Sequence, residues 1–118
     1  MKIENIKFKA KRLDSGEWIE GDLVRSMTPI RICTPHSVFP NIPIVHRVDP
    51  STVCMFTGLK DKNGTPIYEG DIVTYKDNNA ERRGVIVWDS KAAAFCFGQD
   101  FLVHYPSENM EVIGNEFD

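Results

Sequence analysis

The chain lacks long apolar runs, sustained helical periodicity and an excess of basic residues. No stretch of its 118 residues is apolar for long enough to cross a bilayer. Residues 1–15 are rich in lysine and leave no room for the apolar part of a secretory signal. Fourteen Lys and Arg against seventeen Asp and Glu give a net charge of −3, which disfavours a general polyanion binder. We therefore expect a cytoplasmic protein with no membrane association.

Cysteine is also scarce, and the three cysteines, Cys33, Cys54 and Cys96, form no closely spaced pair. We expect small, reduced, buried thiols. Cys33 and His36, with His46 and Cys54 further along, have zinc-compatible side chains. A second short-spaced pair is missing, so the spacing predicts no metal site. We expect no cofactor.

Apolar and polar residues alternate with a period of two in most of the chain. Residues 6–11 alternate apolar side chains with lysines, as in a strand with one dry face and one wet face. Residues 85–88 are apolar at every position, which predicts a strand covered on both faces. Further short strands are expected, among them 101–105 and 110–113. The predicted fold is all-β, with about ten short strands and little or no helix.

Turn residues separate these strands. Asp14, Ser15 and Gly16 predict a hairpin turn with a positive φ at the glycine. Asn63 and Gly64 predict a second hairpin, and this pair favours the type I′ turn. Five of the seven prolines lie in residues 28–50, which predicts ordered loop and edge pieces there. The role of this proline-rich segment stays open.

One short motif occurs twice. Its two copies are Glu20, Gly21, Asp22 and Glu69, Gly70, Asp71, each followed by an aliphatic residue and a valine. We predict that each copy forms a structural bend held by its aspartate. The repeat divides the chain into two small β subdomains. We expect 1–58, which includes the proline-rich segment, and 59–118, a small SH3-like or KOW-like barrel.

No group of residues predicts catalysis. The acids of the repeated motif resemble a carboxylate cluster, but two copies of one motif offer equal environments, and acid–base pairs need different ones. The cysteines and the histidines, His104 included, carry no local activation signature. No glycine-rich phosphate loop precedes a helix. The chain is predicted not to be an enzyme, and no catalytic residue is assigned.

The charges are unevenly distributed along the chain. Residues 1–58 hold eight basic and six acidic residues, and residues 59–91 hold six of each. Residues 92–118 hold five acidic residues and no basic one. This polarity favours head-to-tail self-association. We expect a homo-oligomeric binding or assembly module.

Several blocks of sequence resemble the YopX-like family, which is found in phages and prophages. They are residues 6–18 (IKFKAKRLDSGEW), 48–53 (VDPSTV), 56–64 (FTGLKDKNG), 67–73 (IYEGDIV) and 112–115 (VIGN). The proline-rich segment is the least similar part. The resemblance implies an all-β protein of two subdomains, of no established activity, that is able to form oligomers. It also implies a host or phage protein as a possible further partner. It supplies no catalytic residues.

The alternative prediction is a small barrel that binds nucleic acid. Gly70 to Val73, followed by Gly84 to Val87, is similar to the spacing of KOW-type barrels. The possible nucleic-acid contacts are Lys60, Lys62, Lys76, Arg82 and Arg83, with Tyr68, Tyr75 or Trp88 as stacking surfaces. An equal number of nearby acids opposes this function, so nucleic-acid binding is not favoured.

Overall fold

The computed structural model describes residues 1–34, 44–78 and 80–118. Within these ranges the chain has eleven β-strands, four 3₁₀ turns of three residues each and no α-helix. The strands are β1 (Phe8–Lys11), β2 (Trp18–Val24), β3 (Arg31–Thr34), β4 (Ile44–Arg47), β5 (Cys54–Lys60), β6 (Pro66–Tyr68), β7 (Asp71–Lys76), β8 (Glu81–Asp89), β9 (Ala94–Phe97), β10 (Asp100–Phe101) and β11 (Met110–Asn115). The predicted all-β fold is confirmed. No helix in these ranges is long and apolar enough to cross a membrane.

The described residues form two compact units, Met1–Met55 and Phe56–Asp118. In the first unit, β1 to β4 form an antiparallel sheet in the order β4-β3-β2-β1, and the first two residues of β5 pair with β1. In the second unit, the rest of β5 pairs with β6, and an antiparallel sheet has the order β10-β9-β8-β7-β11. Compactness does not show that a unit folds alone. The domain limits 1–58 and 59–118 therefore stay a prediction.

The sheet of the first unit curls around a small core. Arg12, which follows β1, forms an isolated antiparallel bridge with Val48, which follows β4. The backbone N–H of Leu13 donates to the Arg47 carbonyl at 3.0 Å on the same seam. Three aliphatic side chains are fully buried inside the curl: Ala10, Ile32 and Val48. The partly buried residues Phe8, Ile19, Leu23, Ile30 and Val53 pack around them.

The core of the second unit is larger and partly aromatic. Its buried members are Ile67, Val73, Tyr75, Ile86, Phe97, Leu102 and Met110. The Tyr105 ring meets the rings of Tyr75 and Phe97 edge-on, with both centroid distances at 5.1 Å. The predicted small barrel is not confirmed, because the outer strands β10 and β11 do not pair with each other in the part of the chain described.

The two copies of the repeated motif lie in different structures. Gly21 is inside β2, where an added Cβ would lie 2.1 Å from the carbonyl oxygen of Cys33. Gly70 is in the turn before β7 and has a φ of 85°. The Asp71 carboxylate beside it is fully buried and accepts from the Tyr68 backbone N–H at 2.8 Å. One glycine therefore permits a close backbone approach, while the other forms a turn.

The hairpin between β5 and β6 has the predicted place but a different turn. Gly64 has a φ of 79°, while Asn63 is not among the described residues with positive φ. A type I′ turn needs positive φ at both central positions, so that assignment is wrong. The Asp61 carboxylate accepts from the backbone N–H groups of Asn63 and Thr65, each at 2.9 Å, and this cap organises the loop. The positive φ expected for Gly16 is confirmed at 70°.

Two predicted strands differ from the structure. Residues 85–88 lie in β8, but Val87 and Trp88 are exposed, so this strand is not covered on both faces. Pairing of β8 with β7 ends at Val85, which leaves the last residues of β8 paired with β9 alone. Residues 101–105 are not one strand, because Phe101 ends β10 and the next residues form a 3₁₀ turn.

Candidate binding groove of the second unit

An apolar groove of about 440 Å³ lies in the second unit. Its lining comes from the outer part of β5, the start of β9, the end of β10 and the segment that follows β10. The lining residues are Thr57, Leu59, Ala94, Phe95, Phe101, Leu102, Val103, Tyr105, Pro106 and Ser107. Carbon-rich side chains form most of this surface, and none of the lining residues is charged. The groove is therefore suited to an apolar partner.

The 3₁₀ turn Leu102–His104 decides which side chains the groove presents. Leu102 points into the core, while Val103 beside it is 84% exposed. Phe101 is 44% exposed and Leu59 is 37% exposed. The buried Leu102 thus holds its neighbours Phe101 and Val103 at the surface. Leu59 of β5 is exposed beside them in the groove. The apolar residues in 101–105 predicted a strand instead, and no local pattern indicates that Val103 projects outward.

Arg82, Asp100 and Tyr105 fix the segment that forms the groove. The Arg82 guanidinium donates to the Asp100 carboxylate at 2.9 Å and also contacts the Tyr105 hydroxyl. The Tyr105 hydroxyl donates to Asp100 at 2.7 Å. The guanidinium lies 5.2 Å from the Tyr105 ring centroid and 5.5 Å from that of Phe97. These contacts attach the residues after β10 to β8.

The electrostatics of this cluster favour an anchor over a catalytic group. The hydrogen bond from Tyr105, followed by that from Arg82, lowers the pKa of Asp100. The hydrogen bond to Asp100 raises the pKa of the Tyr105 hydroxyl. The phenol therefore keeps its proton and the carboxylate keeps its charge. Neither is poised to exchange a proton near neutral pH.

The cations predicted to contact nucleic acid are largely paired with acids. Lys62 lies 3.5 Å from Glu111, and Lys76 lies 3.9 Å from Glu81. Arg82 belongs to the anchor cluster, while Lys60 ends β5 and Arg83 lies in β8. Tyr68 and Tyr75 are buried, so the prediction that they offer stacking surfaces is wrong. Trp88 is exposed, and its ring meets the Phe95 ring at a centroid distance of 5.0 Å.

The cysteines and histidines are distributed over different elements. Cys33 and His46 lie on the paired strands β3 and β4, where Cys33 faces Val45 and His46 faces Ile32. Cys54 and Cys96 are buried, and none of the three cysteines forms a disulfide within the described residues. His36 lies outside the described residues. Among the residues that the structure describes, no group of three or more His, Cys, Asp or Glu could hold a metal ion.

The fold and the groove define a small all-β protein of two compact units with an apolar surface site. The model of the YopX protein family matches residues 7–118. The chain therefore belongs to the YopX family, which confirms the resemblance found in its sequence. No curated protein matches the chain.

Proposed function

We propose that this chain is a non-enzymatic binding and assembly module, of phage or prophage origin, whose copies associate with one another in the cytoplasm. The observation that carries the proposal is the apolar groove of the second unit. Apolar side chains that are scattered singly on a surface need no explanation, but a contiguous patch is typical of an interaction site. Phe101, Val103 and Leu59 form such a patch.

The groove is ordered before any partner arrives. Leu102 is buried in the core, and Tyr105 is held by Arg82 and Asp100 on the other side of the projecting residues. A surface that is already fixed loses little conformational entropy on binding. This arrangement supports a binding role for the exposed side chains.

The charges of the two units support a second copy as the partner. Met1–Met55 contains eight basic and six acidic residues, a net charge of +2. Phe56–Asp118 contains six basic and eleven acidic residues, a net charge of −5. Opposite charges attract when the first unit of one copy meets the second unit of another, while like units repel. The charge distribution therefore favours a head-to-tail arrangement.

The buried carboxylates support a non-enzymatic role. Asp61 accepts three backbone hydrogen bonds, and Asp71 accepts from the Tyr68 N–H and from the side-chain amide of Asn115. Carboxylates engaged in this way stabilise loops and strand ends. They are acceptors within the fold, not groups presented to a substrate.

Light scattering after size-exclusion chromatography tests the proposal. The wild-type mass is expected to rise above that of one chain as protein concentration increases, and to fall again when salt is added at constant concentration. Salt screens attraction between exposed charges over about 8–10 Å at moderate ionic strength. A single-chain mass at every concentration and in low salt would contradict self-association.

Nucleic-acid binding is the weaker alternative. Phosphate contacts come from exposed, available cations, whereas Lys62, Lys76 and Arg82 lie close to acids of the same unit. A gel-shift experiment with single- and double-stranded DNA and RNA in low salt separates the two functions. We expect no retardation. A salt-sensitive shift that is lost on changing Lys60 and Arg83 to glutamine would favour the alternative.

A further inference from the structure

We infer that strand β4 of one copy occupies the apolar groove of the next copy. This inference rests on the self-association proposed above and names the two surfaces that meet. Both surfaces are described within a single unit, β4 in the first and the groove in the second. The occupant we assign to the groove is a second copy of this chain, on the complementary charges and surfaces described below.

Strand β4 has the chemistry of an occupant. It is an edge strand that pairs with β3, and its neighbouring residues Ile44 and Val45 are 40% and 41% exposed. The Arg47 carbonyl points to the outer edge, where it accepts from Leu13. Because backbone polar groups alternate along a strand, the N–H and C=O of Val45 point to the same edge. Exposed edges with apolar side chains are prone to pair with another chain.

The end of β4 carries positive charge. Arg47 lies directly opposite Arg31 on β3, and like charges in this position are destabilising. The Arg31 guanidinium donates to the Pro29 carbonyl, and Arg12 is paired with Asp14 at 2.8 Å. Within the described residues, Arg47 has no acidic partner within 4.0 Å. An acidic group from another molecule would relieve the repulsion at this end.

The groove has the complementary features. Phe101 belongs to β10, an edge strand of two residues, and Val103 projects beside it. Glu108 is exposed and follows Ser107, which lines the groove. An aliphatic strand that ends in arginine therefore matches an apolar groove with an acidic residue next to it. The net charges of the two units have the same signs as these local charges.

An interface of this kind joins two different surfaces and is heterologous. An open assembly of any length leaves one β4 unused at one end and one groove unused at the other. A four-residue strand covers less area than the roughly 1,200–2,000 Å² of standard stable interfaces. The association is therefore weak, and one charged side chain placed in it should raise the dissociation constant at least about tenfold.

Two variants and their mixture test the inference. Val103→Asp alters the groove and leaves β4 intact, whereas Val45→Asp alters β4 and leaves the groove intact. Each variant alone should have the mass of one chain at a concentration where the wild type associates. Their equal mixture should form a dimer and nothing larger, because one intact β4 and one intact groove remain. The matched controls are Ile113→Asp in the second unit and Ile6→Asp in the first, which alter exposed aliphatic residues outside both surfaces and should keep the wild-type mass.

The outcomes separate this inference from the proposed function. A wild type of single-chain mass would overturn both. If the wild type associates and either variant alone has the same associated mass, the choice of surfaces is wrong and self-association stands. The same conclusion follows if the mixture of the two variants stays monomeric. Circular dichroism checks that each variant is folded. If Val45→Asp unfolds, Ile44→Asp takes its place in the same mixture.

Discussion

The two units of this YopX-family chain are stabilised in different ways. The second unit contains seven buried apolar residues, including Tyr75 and Phe97, and it also buries the carboxylates of Asp61 and Asp71. The core of the first unit has three fully buried members, all aliphatic. The chain therefore combines one unit based on ring packing and fixed carboxylates with one based on a tightly curled sheet.

The polar contacts inside each unit follow the same division. Asp61 accepts from the Val112 N–H at 2.9 Å and so connects the β5–β6 loop to β11. In the first unit, the Thr52 hydroxyl accepts from the Lys11 N–H at 2.9 Å and donates to the Asp49 carbonyl at 2.7 Å. A carboxylate therefore joins distant segments in the second unit, whereas a neutral hydroxyl joins β1 to the turn before β5 in the first. Acid should therefore affect the two units differently.

The largest expected difference concerns the two cores. Ile86→Ala and Ile32→Ala remove the same atoms from fully buried positions, one in each unit. Each should lower the free energy of unfolding by about 2–5 kcal/mol. The cost should be higher for Ile86, because its neighbours are buried and unable to fill the cavity, while those of Ile32 are partly exposed. Urea unfolding is followed by fluorescence in Trp18→Phe and Trp88→Phe backgrounds, so that the remaining tryptophan reports on the unit that contains it. An equal or greater cost at Ile32 would break the comparison.

Gly21→Ala tests the tight curl of the first unit. The new Cβ would lie 2.1 Å from the Cys33 carbonyl oxygen, so the backbone of β2 or β3 must shift. We expect a loss of about 1–3 kcal/mol, reported by Trp18 fluorescence. Gly114→Ala is the control, because its nearest neighbouring atom is 3.4 Å away. Similar stability of the two variants would show that the close approach is unimportant.

Asp61→Asn tests the fixed carboxylates of the second unit. The amide cannot accept hydrogen bonds at both side-chain atoms, so a backbone N–H of Val112, Thr65 or Asn63 loses its acceptor. The expected loss is about 1–3 kcal/mol in the unfolding of the Trp88 unit. Glu116→Gln, at an exposed position, should leave stability unchanged. If both variants have wild-type stability, the loop does not depend on Asp61.

Acid should destabilise the second unit more than the first, because the Asp61 carboxylate stabilises the second unit. Burial raises the pKa of Asp61, but the backbone hydrogen bonds from Val112, Thr65 and Asn63 outweigh it and lower the pKa below the ordinary value. Its stabilisation is therefore present above the unfolded-state pKa and is lost as pH falls through the folded-state pKa. The urea midpoint reported by Trp88 fluorescence should fall as the pH is lowered from neutral to strongly acidic. Asp61→Asn should make this midpoint less dependent on pH. A wild-type pH profile unchanged by the substitution would rule out Asp61 as the cause.

The smallest change in global stability is expected for Arg82→Gln. The guanidinium and its partners Asp100 and Tyr105 lie at the surface, where ion pairs contribute little. The substitution should instead loosen the segment after β10. Amide hydrogen exchange in residues 100–105 should become faster while the urea midpoint changes little. Unchanged exchange would show that the cluster does not anchor the groove.

Local sequence patterns predicted the strands well and the groove poorly. The alternation in residues 6–11 gave a strand that the structure has as β1. Residues 101–105 are mostly apolar and also predict a strand, but Leu102 enters the core and the chain turns there. The pattern does not distinguish an outward residue of a strand from the exposed residue of a 3₁₀ turn. Tertiary packing decides between them.

The repeated motif and Asp61 show a second limit. Gly21 and Gly70 have the same neighbours in sequence, but one meets a carbonyl of β3 and the other adopts positive φ. Asp61 has one acceptor atom for its own loop and one for Val112, which is 51 residues away. Neither the close approach at Gly21 nor the hydrogen bond from Val112 to Asp61 can be recognised from the adjacent residues in the sequence. The long-range contacts give these residues their roles.

Hydrogen exchange of the wild-type protein at high and low concentration tests head-to-tail assembly most directly. If β4 of one copy occupies the groove of the next, rising concentration should slow exchange in two segments of the same chain, Ile44–Arg47 and residues 101–108. Added salt should reverse both effects together. Exchange that is independent of concentration, or protection of only one of the two segments, would contradict this mode of assembly.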